Sequence, residues 1–210
     1  MKPGPFVHHA PDTVDEAVAV LGEVGHDGKV LAGGQSLIPV LSMRLANPGH
    51  LVDINGVAGL DAVGRPAVDA YVSGGVIDPA SPYLSFLSDA VSRASDAQVG
   101  VALDDRGVVG TVTYVEPGSA LAEVSRPGEA EIRTLAVDPA ASGEGIGEAL
   151  TRAMLDLARE RGFGAVILSS STTMHAAHRL YERLGFVRCP ERDWSPREDV
   201  DLIAYSLPLA

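Results

Sequence analysis

Cysteine is all but missing: Cys189 stands alone in 210 residues, so no internal disulfide can form. No Cys/His spacing resembles a zinc site. Lysine is scarce as well, two against fourteen arginines, a bias read as genome composition rather than chemistry. No apolar run approaches the ~18–20 residues that a membrane-crossing helix needs. The opening stretch MKPGPFVHHAPDTVDEA turns polar too early to supply the apolar segment of a secretory leader, so the expected address is cytoplasmic. Nor is there a basic surplus. Sixteen Lys and Arg face 28 Asp and Glu, a net charge of −12. Residues 1–61 carry three basic and seven acidic side chains, and residues 62–210 carry thirteen and twenty-one. Nucleic acid and anionic membranes are therefore poor partners. A cationic amine suits such a surface, although solubility alone explains the charge equally well.

What is present falls into two patterns. In residues 1–61, Thr13 and Glu16 have the spacing of a capping box. Val14, Ala17, Val18, Leu21 and Val24 follow at helical intervals. Lys29-Val30-Leu31-Ala32 predicts a short strand that breaks at Gly33-Gly34. Ser36 can cap a helix through Ala46, with Pro39 in its first turn, where proline costs little. Leu51-Val52-Asp53-Ile54-Asn55 alternates like a strand, and the Gly- and Ala-rich residues 56–64 look like a join. Beyond them, helices are expected over residues 65–72 and 83–94, from the loop Ser142–Gly147 to an end at Gly162, and over 175–184. Strands are expected over 99–103, 108–115, 131–137, 165–169 and 200–207, with a hairpin turn at Asp104-Asp105-Arg106-Gly107. This order gives an α+β fold with a mixed, largely antiparallel sheet and flanking helices, preceded by a small α/β subdomain.

The stretch from Leu135, Ala136 and Val137 through Ser142, Gly143, Glu144, Gly145, Ile146 and Gly147 carries the clearest chemistry. A strand ends, the chain turns through Pro139 and the glycines, and a helix starts with apolar positions at Ile146, Leu150, Ala153 and Leu157. A helix start offers free N–H donors and a partial positive charge, which suits phosphate. Glycine lets an anion approach the backbone closely. Taken alone, such a loop is equally a tight turn.

Together with Ala177-His178-Arg179-Leu180-Tyr181-Glu182-Arg183-Leu184-Gly185-Phe186, however, it resembles the GNAT acetyltransferases. The first stretch is similar to their motif A, with its glycine-rich loop, and the second to their motif B, Leu-Tyr-Glu-x-Leu-Gly-Phe. The resemblance runs from about Ala62 to Leu209 and lacks the usual first strand, for which residues 51–55 stand at a suitable distance to substitute. It implies acetyl-CoA as cosubstrate, with the backbone of Leu135, Ala136 and Val137 pairing with the pantetheine arm. The loop Ser142, Gly143, Glu144, Gly145, Ile146, Gly147 would cradle the pyrophosphate. Tyr181 would protonate the departing thiolate, with ring packing as the other reading of that residue. Glu131 would serve as general base through water, or lie on a solvated strand face between Glu129 and Arg133. His178, one turn before Tyr181, would line the site or the surface. Attack would be direct, on a small-molecule or amino-acid-like primary amine, with no acyl-enzyme and no metal. A homodimer is the assembly compatible with this reading. The chain departs from the family at Ser142, Glu144 and Glu148, where Arg, Gln or basic residues are frequent, and at Met174, where asparagine is frequent. Two carboxylates beside a diphosphate imply weakened binding.

Residues 1–61 resemble a different family, the FAD-binding medium subunit of carbon monoxide dehydrogenase and related molybdenum hydroxylases. The matching residues are Lys2-Pro3, Phe6, Ala32-Gly33-Gly34-Gln35-Ser36-Leu37-Ile38-Pro39, Arg44-Leu45 and Leu51 through Asn55. The resemblance implies that Ala32, Gly33, Gly34, Gln35 and Ser36 descend from a flavin pyrophosphate turn. The second flavin loop of that family has no counterpart here, so retained FAD is not expected. Three functions stay open at this point: an N-acetyltransferase, a vestigial fusion or binding protein, and a flavin subunit of an oxidoreductase.

Overall fold

The computed structural model describes residues 4–31, 41–44, 46–54, 56–57 and 61–209. The chain divides into two compact units, Met1–Asp61 and Ala62–Ala210.

In the first unit, β1 (Val7–His9), helix α1 (Val14–Val24), β2 (Gly28–Leu31) and β3 (His50–Asp53) form a three-stranded sheet with one covering helix. The strand order is β1-β3-β2 and both pairings are parallel. Thr13 caps α1 by accepting the Glu16 N–H at 3.2 Å. The Glu16 carboxylate reaches back one residue beyond the cap, to the Asp12 N–H at 3.0 Å. Of the five apolar positions expected to form the buried stripe of α1, only Ala17 is fully buried, while Val14 and Val18 are exposed. Leu51 and Val52 are buried because β3 is the central strand and has a neighbour on each side. That position also corrects one expectation. Both edges of β3 are taken within its own sheet, so it does not replace a first strand in the second. The turn Ala32, Gly33, Gly34, Gln35, Ser36 lies outside the described residues, as does most of the helix expected after it.

The second unit is built on a seven-stranded sheet. Its helices α2 (Arg65–Ser73), α3 (Tyr83–Ser88) and α4 (Ala90–Asp96) precede β4 (Gln98–Asp104), β5 (Gly107–Val115) and β6 (Glu129–Val137). Then follow α5 (Ile146–Glu160), β7 (Ala165–Ser171), α6 (His175–Arg183), β8 (Val187–Arg188), β9 (Trp194–Arg197) and β10 (Val200–Pro208). The order is β4-β5-β6-β7-β10-β8, with β9 also paired to β10. Among the described residues of this unit, only β6 and β7 run parallel and every other pair is antiparallel. The helix expected over residues 83–94 is two helices. Asp89 leaves helical geometry between them, and its carboxylate caps α4 by accepting the Ser92 N–H at 2.9 Å. In α5 the buried face is Leu150, Thr151, Met154, Leu155 and Ala158, and Ala153, expected inside, faces solvent. Among the described residues no helix is long and apolar enough to cross a membrane.

One irregularity shapes everything downstream. Between the pairs Thr111↔Ala136 and Thr113↔Arg133, β5 spends one residue and β6 spends two, Thr134 and Leu135. Thr134 takes φ 48°, a left-handed conformation rare for a β-branched residue. Its hydroxyl is 2.5 Å from that of Thr113 across the ladder. An extra residue flips side-chain alternation. Ala130 and Ile132 pack with Leu150, Met154 and Leu155 of α5. Past the bulge it is Leu135 that joins this cluster, while Ala136 turns to Ala67 of α2 and Leu87 of α3.

Candidate active site

The bulge sits where the parallel pair comes apart. β6 and β7 stay in register from Glu129↔Ala165 to Ile132↔Leu168 and no further, although both strands continue. The backbone of β6 from Arg133 to Val137 thus loses its neighbour on the β7 side. A cavity of about 500 Å³ opens there, bounded by Arg133, Thr134 and Leu135 on one strand and Ser169, Ser170 and Ser171 on the other. Tyr71, Tyr83, Glu123, Tyr181 and Trp194 also line it. Ser170 is 4% exposed and its hydroxyl has no hydrogen-bond partner among the described residues.

Tyr181 enters from α6. It is buried, with the rings of Phe186 and Tyr205 at 5.8 Å each. Among the described residues no group hydrogen-bonds its hydroxyl, which faces the cavity. Burial, and then Tyr205, hold the phenol well above its ordinary range, so it stays protonated. His178, one turn earlier, does not line the cavity itself; its Nε2 lies 3.0 Å from the carbonyl oxygen of Ser171, which does. Burial pushes its imidazole below the ordinary value.

At the far end of β6 the chain makes a short turn at Pro139–Ala141 and enters the glycine loop. Gly143 and Gly145 have φ 86° and 84°, conformations that favour glycine. Gly145 stands at the N-terminus of α5 with no side-chain cap. The N–H groups of Gly143, Gly145, Ile146 and Gly147 meet no acceptor among the described residues. The loop is therefore a ready anion cradle. A side chain at Gly110 of β5 would come within 2.9 Å of Ile146, so this glycine lets the start of α5 lie close on the sheet.

The two acidic side chains here are not bare charges. Glu144 takes both terminal nitrogens of Arg106, at 3.1 and 2.6 Å, and Arg106 also holds Asp104. Glu148 pairs with Arg152 at 2.8 Å and Arg183 at 3.2 Å.

Glu131 departs from expectation. It is fully buried and does not line the cavity. One carboxylate oxygen accepts the N–H groups of Glu123, Val124 and Ser125, each at 3.0 Å. The other lies 3.9 Å from Arg133 Nε. Its carboxylate is tied into the loop between β5 and β6 rather than open to the cavity. Sequence reading did not single out Glu123, because nothing in the polar residues 116–129 marks which carboxylate faces inward; Arg133 entered it only as a neighbour of Glu131. Among the described residues no group of three His, Cys, Asp or Glu side chains is placed to hold a metal.

The site thus joins a bulged strand, splayed from its parallel partner, to an uncapped glycine-rich helix start. The model of the acetyltransferase (GNAT) family matches residues 70–186, more than half of the chain, and the chain belongs to that family. Residues 4–78 match the FAD binding domain in molybdopterin dehydrogenase. The carbon monoxide dehydrogenase medium chain of Hydrogenophaga pseudoflava is 35% identical over 127 residues, 57% of this chain and 43% of that protein. The chain thus spans less than half the length of that relative. Mycothiol acetyltransferase of Rhodococcus erythropolis is 45% identical over 58 residues, 28% of this chain and 19% of its own. Among solved structures, an acetyltransferase of the GNAT family from Staphylococcus aureus superimposes with TM-score 0.58 at 15% identity, covering 73% of this chain and 94% of that one. At that identity the likeness is one of fold.

Proposed function

We propose that the chain is an acetyl-CoA-dependent N-acetyltransferase acting on a primary amine of a small-molecule or amino-acid-like substrate. The observation that carries this reading is the opening of β6 from β7 at Ile132, with a free tyrosine hydroxyl beside it. In this reading the backbone of Leu135, Ala136 and Val137 pairs with the pantetheine arm as an added strand would. The pyrophosphate lies over Ser142, Gly143, Glu144, Gly145, Ile146 and Gly147, on the four open N–H donors. Tyr181 gives its proton to the sulfur as the carbon–sulfur bond breaks. The amine attacks the thioester directly, and Cys189 takes no part. The first unit supplies structure and no flavin chemistry.

Acetyl-CoA should raise the melting temperature of the purified protein, by about 2.7 kcal/mol of stabilisation at a hundredfold excess over Kd. Desulfo-CoA analogues lacking the acetyl group should do so nearly as well, because most contacts are to the pantetheine and phosphates. No shift with either would remove the reading.

A further inference from the structure

If Glu131 is sealed away, the proton that leaves the incoming ammonium needs another destination. The loop between β5 and β6 offers one. Glu123 lines the cavity together with Tyr181 and Leu135, and its side chain is 33% exposed. The loop that carries it is held from three sides. Glu131 takes the N–H groups of Glu123, Val124 and Ser125. Arg133 donates to the carbonyl of Leu121, and Arg192 to that of Val124. An ordinary surface loop carries no such set of buried ties. The Glu123 carboxylate meets Arg133 at 2.6 Å, which leaves its remaining acceptor capacity to the cavity.

We propose that Glu123 accepts the proton from the incoming amine, and that Glu131 is a positioning residue that fixes the loop carrying it; this rests on the acetyltransferase reading above. The ammonium gives one proton to Glu123, directly or through one water, and becomes a free amine. Its lone pair forms the new carbon–nitrogen bond at the thioester carbonyl. When the tetrahedral adduct collapses, the carbon–sulfur pair leaves with sulfur, which takes the Tyr181 proton. The nitrogen returns its surplus proton to the tyrosine oxygen. Amide, CoA thiol and one proton on Glu123 remain, and that proton passes to solvent. The charged and titratable groups facing Glu123 are Arg133 and Glu131 of β6 and Tyr83 of α3. Burial raises Glu123 above the ordinary carboxylate value, Arg133 opposes this and Glu131 adds to it. A raised carboxylate is a better base at neutral pH than an ordinary one.

The test uses the full chain with acetyl-CoA and three amines, tyramine, L-alaninamide and spermidine, followed by thiol release. Glu123→Gln should lower kcat/KM for the amine by about 100-fold or more. The acetyl-CoA-induced rise in melting temperature should be unchanged, and the deficit should narrow as pH rises and the amine arrives already deprotonated. Glu131→Gln keeps an oxygen for the loop N–H groups, so it should retain the acid limb of the pH profile, whereas Glu131→Ala should lose rate. An acid limb that survives Glu123→Gln and vanishes in Glu131→Gln would reverse the two roles and overturn the proposal. A second measurement does not depend on the acceptor. In protein labelled with ¹³C at glutamate carboxyls, the resonance missing from Glu123→Gln should titrate above 4.5 and move when amine joins the acetyl-CoA complex. A resonance at or below that value, unmoved by amine, overturns the proposal even where acetyl-CoA binds. Failure of acetyl-CoA to bind the wild-type protein removes the acetyltransferase reading instead.

Discussion

Replacing Tyr181 with Phe separates a chemical role from a packing role more cleanly than any other change. The ring lies between Phe186 and Tyr205, with centroids 5.8 Å away on both sides, and phenylalanine keeps those contacts. Among the described residues the hydroxyl has no hydrogen-bond partner, so its loss breaks none there. Stability should therefore stay within about 1 kcal/mol of wild type. For a chain of this size that is a melting-temperature change of about 2–4 °C at most. The chemical effect is much larger. Without the phenol, the thiolate leaves unprotonated, and loss of a general acid lowers rate by roughly 10²–10⁴-fold. At about 1.36 kcal/mol per tenfold, that is about 2.7–5.4 kcal/mol of barrier. The acetyl-CoA Kd from calorimetry should be unchanged, because the interaction is made as sulfur departs and not on binding. The wild-type enzyme should show no loss of kcat from phenol ionisation up to the ordinary tyrosine value of 10.0, since burial holds the group above it. A Phe variant within about threefold of wild-type kcat would refute this reasoning and leave Tyr181 a packing residue. A collapse in melting temperature would mean that the hydroxyl has a partner after all.

Three further outcomes are expected. Glu144→Ala releases Arg106 from its two-pronged pair and should tighten acetyl-CoA binding roughly two- to fivefold at low salt, less at high salt, as calorimetry would show. Unchanged affinity at low salt would mean that the diphosphate does not lie over residues 142–147. Asp193 accepts Arg188 at 3.0 and 2.8 Å and the Ala204 N–H at 2.8 Å, and the Arg188 hydrogen bond holds it below the ordinary range. A depressed carboxylate stabilises the fold above its unfolded value and loses that contribution as pH falls through its folded value, so Asp193→Asn should lower the melting temperature at neutral pH by an amount that shrinks as pH falls below the ordinary 3.8. Finally, the purified protein should be colourless and retain no FAD on desalting; a yellow preparation with stoichiometric flavin would restore the oxidoreductase reading.

The parts of the site legible in the sequence are those where backbone geometry restricts residue choice. Gly143 and Gly145 sit at positive φ, and Gly185 closes α6 at φ 93°, so motif spacing and conformation coincide. The helix after the glycine loop was likewise visible from Ile146, Leu150 and Leu157, which join the core, although Ala153 faces solvent. The bulge was not, because Thr134 adopts a left-handed conformation with nothing in its residue type to announce it. That single residue decides which of Leu135 and Ala136 faces the cavity. The choice between carboxylates was hidden for a related reason. Glu131 and Glu123 are both acidic residues beside apolar ones. Only the folding of residues 121–125 back over β6 buries the first and presents the second. Short strands such as β8 are held by β10 rather than by their own two residues, so no local pattern could mark them.

The acidic glycine loop shows why counting charges along a sequence misjudges the charge of a folded loop. Read linearly, Glu144 and Glu148 stand beside the helix start with no base in the loop itself, and a diphosphate should be repelled. In the fold, three arginines come to them: Arg106 from the β4–β5 turn, Arg152 from the next turn of α5, and Arg183 from α6. With Asp104 included, three carboxylates meet three guanidinium groups, so the loop is close to neutral. Neutrality leaves the backbone to decide, and the N–H groups of Gly143, Gly145, Ile146 and Gly147 meet no acceptor among the described residues at the positive end of a fifteen-residue helix. Side-chain pairing of this exposed kind is weak and salt-sensitive, whereas oriented N–H donors are fixed by the fold. Affinity for acetyl-CoA should therefore depend on the glycines more than on either glutamate.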